Sequence, residues 1–493
     1  MTDRSVFPDP VYRDTVLAPL FEGVKANFAS HMDAVDRAHL VMLAETGILP
    51  RDDAAQIAGA LHAIGTEMDP TKLTYTGEHE DWFFLVEAEL RARLGELGGA
   101  LHTARSRNDI DHTVFKMALR DRVSAFEGLI HDLADTMLAK ARAERDTLIV
   151  AYTHGQPAQP STYGHYLSAA LEVLLRDTNR VAEAADLLEL SPMGAAAITT
   201  SGFPIDRARV AELLGFERPL LNSYGCIASV DYVTALYSAM KLVFVHLGRV
   251  VQDMAFWSAF EVGQLRLPNA LVQVSSIMPQ KRNPVPIEHM RHLASVAAGR
   301  CDTIVDAMRN TPFTDMNDSE GEVQQAGYAA FDSGGRMLAL MAAVLDGARI
   351  DPAKVRRNAD AACVTITELA DTLVRQEGLT FRAAHEIAAT TARDVIARGV
   401  PLGEGFEAFA TAFTKHAGRP PKLDAEAFAD TVSPETFVKR RDRPGGPAPA
   451  ALDEAYETYA ADLATLRTRT ATRTGRHAAA AQARATAFDV LRG

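Results

Sequence analysis

Seven apolar residues, Phe115, Leu119, Val123, Phe126, Ile130, Leu133 and Met137, recur in steps of three and four along one stretch of this chain. Residues so spaced share one face of an α-helix, so the pattern predicts a long helix with a single apolar stripe. Leu167, Leu171, Leu174, Val181 and Leu188 make a second stripe. Val233, Leu236, Met240, Val243, Leu247, Val250 and Met254 make a third. Helices this long exceed the usual ~11–12 residues and pack chiefly on one another. The middle of the chain therefore reads as a bundle of long helices with a coiled-coil-like seam. Several such faces in one chain finish their burial against copies of the same chain, so an oligomer is expected.

On either side of this core the pattern is shorter. Residues 1–25 read as an irregular arm with prolines, followed by helical patterning from Val24 to Ala44. Asp52 or Asp53 is suited to cap a helix carrying Ile57, Leu61 and Ile64 on one face. Gly77 to Asp81 breaks the pattern before Trp82 opens another helix. Between the second and third stripes, residues 191–207 are rich in small side chains and read as a tight crossing. Shorter helical patterns resume after residue 350, and Arg443 to Pro449 is a turn before a final Ala- and Arg-rich helix. The expectation is an all-α chain of three units: 1–110, 111–355 with the long bundle, and 356–493.

Composition narrows the class. With 47% hydrophobic and 23% charged residues in 493, the chain is an ordinary globular protein. A formal charge of −13, from 51 basic and 64 acidic residues, argues against a general nucleic-acid surface. Cys226, Cys301 and Cys363 lie far apart without CxxC spacing, which predicts a reduced, cytoplasmic protein without disulfides or thiolate metal sites. No apolar signal core opens the chain, and no later apolar run reads as long and uncharged enough to span a bilayer, so neither secretion nor membrane insertion is expected.

One run suits neither a core nor a helix: Ser275-Ser276-Ile277-Met278-Pro279-Gln280-Lys281-Arg282-Asn283-Pro284. Each proline removes a backbone donor and restricts the residue before it, so the run should be an ordered loop between long helices. A serine hydroxyl is a poor base in water, but a nearby ammonium and backbone N–H groups stabilise its alkoxide. Such a serine can take a proton from carbon.

This run resembles the signature loop of the aspartase/fumarase superfamily, whose members eliminate fumarate from succinyl substrates. His102-Thr103-Ala104-Arg105-Ser106-Arg107-Asn108-Asp109 and Thr153-His154-Gly155-Gln156-Pro157-Ala158-Gln159-Pro160 resemble the other two signature segments, in versions typical of the argininosuccinate lyase branch. Leu379 to Glu386 is similar to part of that branch's carboxy-terminal domain. The resemblance implies a homotetramer with a shared central bundle, each active site taking its three segments from three subunits. It also implies small-molecule dicarboxylate and amine substrates, and no cofactor.

Carried over residue by residue, the resemblance makes Ser276 the base that deprotonates Cβ. Lys281 and Asn283 would hold the carboxylate that becomes an aci-carboxylate, Met278 and the loop backbone would contribute donors near the serine, and Ser275 would join them in binding substrate. Ser106, Arg107 and Asn108 offer hydroxyl, guanidinium and amide donors for a carboxylate just where a helix begins. Thr153 and His154, with Gln156 beside them, resemble the pair that contacts substrate and assists protonation of the leaving nitrogen. Glu288 stands where the family pairs a glutamate with that histidine. His385-Glu386 is no metalloprotease start, because Ala389 stands where a second histidine is needed, and no metal site is expected.

The sequence departs from argininosuccinate lyases on the side that reads the amine. Ile110-Asp111-His112 follows Asn108-Asp109 where the branch carries glutamine, Ala100 stands for its lysine, and Gly225, Ala228 and Val230 replace its aspartate, serine and arginine. The branch's Tyr-Asn-Arg-Asp-Leu-Gln stretch is here Asp315-Met316-Asn317-Asp318-Ser319-Glu320. Asp315 and Glu320 put carboxylates where the branch has a tyrosine and a glutamine, which suits an amine or ammonium. The pattern is similar to relatives acting on aminopolycarboxylates, such as ethylenediamine-N,N′-disuccinate (EDDS) lyase, with His112, Phe115 and Lys354 on the variable side. The resemblance leaves two other readings: argininosuccinate lyase itself, and a silent crystallin-like structural protein.

Overall fold

The computed structural model describes residues 7–493, with only the backbone of Ser319. The chain is all-α, and five helices close a ring around its core. Arg107–Ala143 packs on Tyr163–Asp186, which packs on Asp231–Ser258; Val285–Ala307 and Glu322–Gly347 follow, and the last returns to Arg107–Ala143. All seven residues of the first stripe and all five of the second are buried. In the third, Val233 and Val250 are half-buried and the rest buried. Each fully buried Leu, Ile, Val, Phe or Met stabilises the bundle by about 1.5–3 kcal/mol. Two glycines set the close approach inside the ring: a Cβ on Gly334 would lie 2.2 Å from Cζ of Phe244, and one on Gly327 would lie 2.2 Å from the Tyr237 hydroxyl.

The 37-residue helix Arg107–Ala143 spans about 55 Å at 1.5 Å per residue, so its start is far from its end. Among the described residues, strands are confined to four two-stranded pairings. The longest joins Leu148–Thr153 to Gln156–Thr162 antiparallel, with an irregularity between Ala151 and Tyr152. The residue left unpaired there is Ala158, next to Pro157, which has no N–H to give the ladder.

Three expectations are corrected. Residues 10–27 are helical rather than an irregular arm (1–6 lie outside the described residues): Asp9 accepts the N–H of Val11, Pro10 takes the first helical position, and Pro19 follows a wide turn at Arg13–Leu17. Proline is tolerated in a first turn because its missing N–H would have no partner there. Asp52 and Asp53 cap nothing; Arg51–Glu67 starts after Pro50, and both aspartates lie in its first turn. Among the described residues one helix, Asp231–Ser258, is long and apolar enough to cross a membrane by length and composition. Its Leu236, Met240, Val243, Phe244 and Leu247 are instead buried against neighbouring helices.

Beyond residue 350 the chain packs in two ways. Leu369, Leu373, Ile387, Phe409, Phe413 and Phe428 form an apolar cluster of their own. The final helix, Pro449–Arg492, leaves it and lies along the Arg107–Ala143 and Tyr163–Asp186 helices. Tyr456 donates to the Ala141 carbonyl at 3.0 Å, and buried Arg473 meets Glu127 at 2.6 Å and Asp186 at 3.1 Å. Cys226, Cys301 and Cys363 are free and buried.

Candidate active site

The 102–109 segment is fixed from several sides. His39 Nε2–H donates to the Thr103 carbonyl at 2.8 Å, and buried Arg105 pairs with Asp36 at 2.6 Å. Ala104 takes a left-handed φ of 64°, which turns the chain into the helix that Ser106 caps. Ser106 N–H donates to Asp109 Oδ1 at 2.9 Å, and Asn108 N–H to Ser106 Oγ at 3.4 Å. Asp109 Oδ2 accepts from the N–H groups of Gly194 and Ala196 at 2.9 and 2.8 Å, tying the helix start to the 191–207 crossing. Burial pushes the Asp109 carboxyl up to about 6 although three backbone N–H groups pull the other way. Ser106 is thus both a cap and a half-exposed hydroxyl beside Asn108, whose amide donates to Ala197 O at 3.0 Å.

Arg107, expected as a carboxylate binder, already has partners. Its Nη1 lies 3.0 Å from Glu80 and 2.6 Å from Asp81. Burial works against the Arg107 cation, but these carboxylates outweigh it and raise its pKa. Sequence reasoning treated Glu80 and Asp81 only as part of a break in helical pattern; Asp81 is also the cap of Trp82–Leu94.

Beside Arg107 the structure gathers four of the residues expected to read the amine. His112 and Phe115 are buried one and two turns along the helix, with rings 5.9 Å apart and edge to face. His112 Nε2 faces Asp315 Oδ1 at 3.6 Å. Burial and then the charge of Asp315 raise the Glu320 carboxyl to about 7. Asp111, noted in the sequence only as part of a departure from the branch pattern, belongs to this group: burial, then the charges of Glu320 and Asp81, push its carboxyl well up. Lys354 lies apart, its Nζ 5.3 Å from the centre of the exposed Phe260 ring.

The second segment is the tip of the long hairpin. His154 and Gly155 form its two-residue turn with φ of 54° and 73°, positive at both positions as a type I′ turn requires. Thr153, His154 and Gln156 are exposed on that tip. The foot is held by the buried Gln264 amide, which accepts from Val150 N–H at 3.1 Å and donates to Val150 O at 3.2 Å.

The third segment is non-helical, as its prolines predict, and takes the form of a short hairpin. Gln273–Val274 pairs antiparallel with Arg282–Asn283, and Val285–Ala307 starts immediately after Pro284. Ser275 Oγ accepts the Met278 N–H at 3.1 Å, which shapes the turn, and Arg282 anchors its base to the Leu267 carbonyl at 2.8 Å. Ser276, Met278 and Lys281 are exposed, and neither the Ser276 hydroxyl nor the Lys281 ammonium has a partner among the described residues. Asn283 is half-buried and Glu288 exposed in the first helical turn. Within one chain no ion pair joins Glu288 to His154 among the described residues. Each chain therefore displays three donor-bearing segments: a capped helix start, a hairpin tip and a serine–lysine loop.

The sequence model of the lyase family matches residues 25–299, and that of the argininosuccinate lyase C-terminal region matches 363–439. A protein named argininosuccinate lyase 2 from Agrobacterium fabrum is 57% identical over 494 aligned residues, covering 100% of this chain and 98% of the relative. Argininosuccinate lyase of Methanothermobacter thermautotrophicus is 34% identical over 85% of this chain and 90% of the relative. A solved structure of EDDS lyase in complex with formate superposes with a TM-score of 0.85 at 27% identity, covering 98% of this chain and 96% of that one. The chain is thus a fumarate-releasing carbon–nitrogen lyase. It belongs to the aspartase/fumarase superfamily, in the argininosuccinate lyase branch.

Proposed function

We propose that this lyase reversibly eliminates fumarate from an N-(1,2-dicarboxyethyl) amine, with an aminopolycarboxylate such as ethylenediamine-N,N′-disuccinate as the model substrate. The observation that carries the mechanism is the 273–283 hairpin, which presents an unpartnered hydroxyl and an unpartnered ammonium at the start of a long helix. Ser276, as alkoxide, takes the Cβ proton; Lys281, Asn283 and the positive end of the helix stabilise the charge that moves onto the adjacent carboxylate. Ser275 and Met278 hold the loop turn. The aci-carboxylate then collapses, the C–N bond breaks, and the nitrogen leaves with a proton delivered at the His154 side. Glu288 of another chain would raise the basicity of that histidine.

In this proposal the enzyme works in the cytoplasm as a homotetramer with composite sites. Ser106, Arg107 and Asn108 of one chain, Thr153 and Gln156 of a second and the serine loop of a third hold the two substrate carboxylates. Support comes from the large apolar side chains left on the single-chain surface, since Phe260, Ile277 and Leu221 are 86%, 83% and 90% exposed. Arg107 would have to share its charge between Glu80, Asp81 and the substrate.

The name of the Agrobacterium relative favours a second reading, cleavage of argininosuccinate to arginine and fumarate. Against it stands the departure at residues 315–320, where Asp315 and Glu320 replace the tyrosine and glutamine typical of the branch. Incubating the protein with fumarate and a panel of amines that includes ethylenediamine and arginine separates the readings. An adduct with ethylenediamine and none with arginine is expected; the reverse would favour argininosuccinate, and no adduct with any amine would contradict both.

A further inference from the structure

The segment before the 107–143 helix contains two side chains that the proposed reaction does not use. His102 and Arg105 are the ends of a four-residue turn, closed by the Arg105 N–H on the His102 carbonyl at 3.4 Å. Thr103 has φ −56° and ψ 129°, and Ala104 has φ 64°, the pattern of a type II turn. Glycine suits the third position of such a turn, because a Cβ is strained in the left-handed region. An alanine keeps this shape only where its surroundings hold it. Ser106, Arg107 and Asn108 follow at once, so the turn decides where their donors lie.

Two of the holds are direct: His39 grips the Thr103 carbonyl, and Asp36 grips Nη1 of Arg105. The third is indicated by a cavity of about 20 Å³ whose walls include His102, Arg105, Asp36, Phe83 and Val86. The Arg105 side chain is only 2% exposed, and its Nε–H has no hydrogen-bond partner among the described residues; nor has the buried Nδ1 of His102. Buried polar atoms are rarely left so in a folded protein. Burial and then the charge of Arg105 lower the pKa of the His102 ring, so a neutral imidazole offers a lone pair. The cavity exceeds the roughly 10–15 Å³ that one water needs, and it offers that water a donor, an acceptor and a carboxylate. It is too small for an organic ligand.

We infer that one resident water bridges Arg105 Nε–H to His102 Nδ1 across the turn, and that Arg105, through this clasp, is a positioning residue for the carboxylate-binding donors at 106–108. Arg105 itself meets no substrate, because its guanidinium is buried against Asp36 and the Phe83 ring. The positioning role rests on the proposed use of Ser106, Arg107 and Asn108 to hold a substrate carboxylate. The water site does not.

A high-resolution crystal structure of the full-length protein is expected to show one ordered water within hydrogen-bond distance of both nitrogens; a dry cavity, or a water that touches neither, would overturn the inference. Calorimetric titration with fumarate, which needs no amine, reads the positioning role. Arg105→Lys keeps a charge opposite Asp36 but loses the Nε–H, and is expected to weaken fumarate binding about tenfold. His102→Leu removes the acceptor without touching the Asp36 pair and should weaken it by about threefold. Adding Ala104→Gly, which relieves the turn of strain, should restore most of the binding in both variants, a rescue that a general loss of folding stability would not show. Fumarate bound by both single variants as by the wild type, or losses that Ala104→Gly leaves in place, would overturn the role, with thermal melting of each variant showing whether it is folded. A wild-type protein that binds no fumarate would sink the proposed carboxylate site and the positioning role with it, while the crystal structure still decides the water.

Discussion

The 102–109 segment and the 275–283 loop carry the same kinds of side chain, a hydroxyl, a cation and an amide, but the chain treats them in opposite ways. In the first, Ser106 caps a helix, Arg107 is held by two carboxylates, Asn108 donates to a carbonyl, and Asp109 gathers three backbone N–H groups. In the second, Ser276 and Lys281 stand in the open, and the fixed contacts are at the base and turn of the hairpin. The difference fits the two tasks that the proposed mechanism assigns to these segments. Groups that position a dicarboxylate work best when already rigid, because no reorganisation is then needed as charge develops. A base that must enclose the substrate works from a loop that can approach it.

The comparison is sharpest where one region is damaged and the other left alone. Ser276→Ala is predicted to lower kcat by about 10²–10⁴-fold, the usual loss on removing a general base. Its melting temperature should stay at the wild-type value, because the exposed hydroxyl has no hydrogen-bond partner among the described residues. Steady-state kinetics with the best amine and calorimetry check both halves; retained activity would mean that another group is the base.

Asp109→Ala should do the converse. It strands the buried N–H groups of Gly194 and Ala196 and the cap of the 107–143 helix, at about 1–3 kcal/mol for each unsatisfied group. Urea denaturation should show the lower stability, and activity should fall through loss of the carboxylate-binding geometry. Gly334→Ala acts on the scaffold alone. Its new Cβ meets the Phe244 ring at 2.2 Å, so a loss of about 1–3 kcal/mol is expected from overpacking, with little change in kcat for the fraction that remains folded.

Glu320 gives the smallest and most specific effect. Its carboxyl is protonated up to pH about 7 in the folded chain, against an ordinary value of 4.5. The folded state therefore holds more protons than the unfolded state within that window. Its contribution to stability is full below the lower value and is lost as pH rises through the upper one. Glu320→Gln should remove that loss, which denaturation midpoints measured at pH 5 and pH 8 would reveal; an identical pH dependence in both proteins would show that Glu320 is not so placed.

What was legible in the sequence was whatever depends on a repeat or on local chemistry. The three stripes named three of the five ring helices because burial on one face forces a period near 3.6, while Val285–Ala307 and Glu322–Gly347 were not named; the prolines of the 279–284 run marked a loop because they remove donors. The 148–162 hairpin was not legible, since its second strand contains Pro157 and Pro160 and its turn puts a histidine at positive φ. Nor were the partners of Arg107: Glu80 and Asp81 are 27 and 26 residues away in sequence, and only folding brings them near. Asp111 was visible as a departure from the branch pattern, but its charge became meaningful only beside Asp315 and Glu320.

The central claim is that one catalytic centre draws its base from one chain and its carboxylate- and proton-handling groups from others. Mixing Ser276→Ala and His154→Ala proteins, each nearly inactive alone, under conditions that let subunits exchange tests it directly. Recovery of a measurable share of wild-type activity in the mixture, and none in either protein treated alone, is the predicted result. A mixture that forms hybrid oligomers yet stays as inactive as its components would contradict the account.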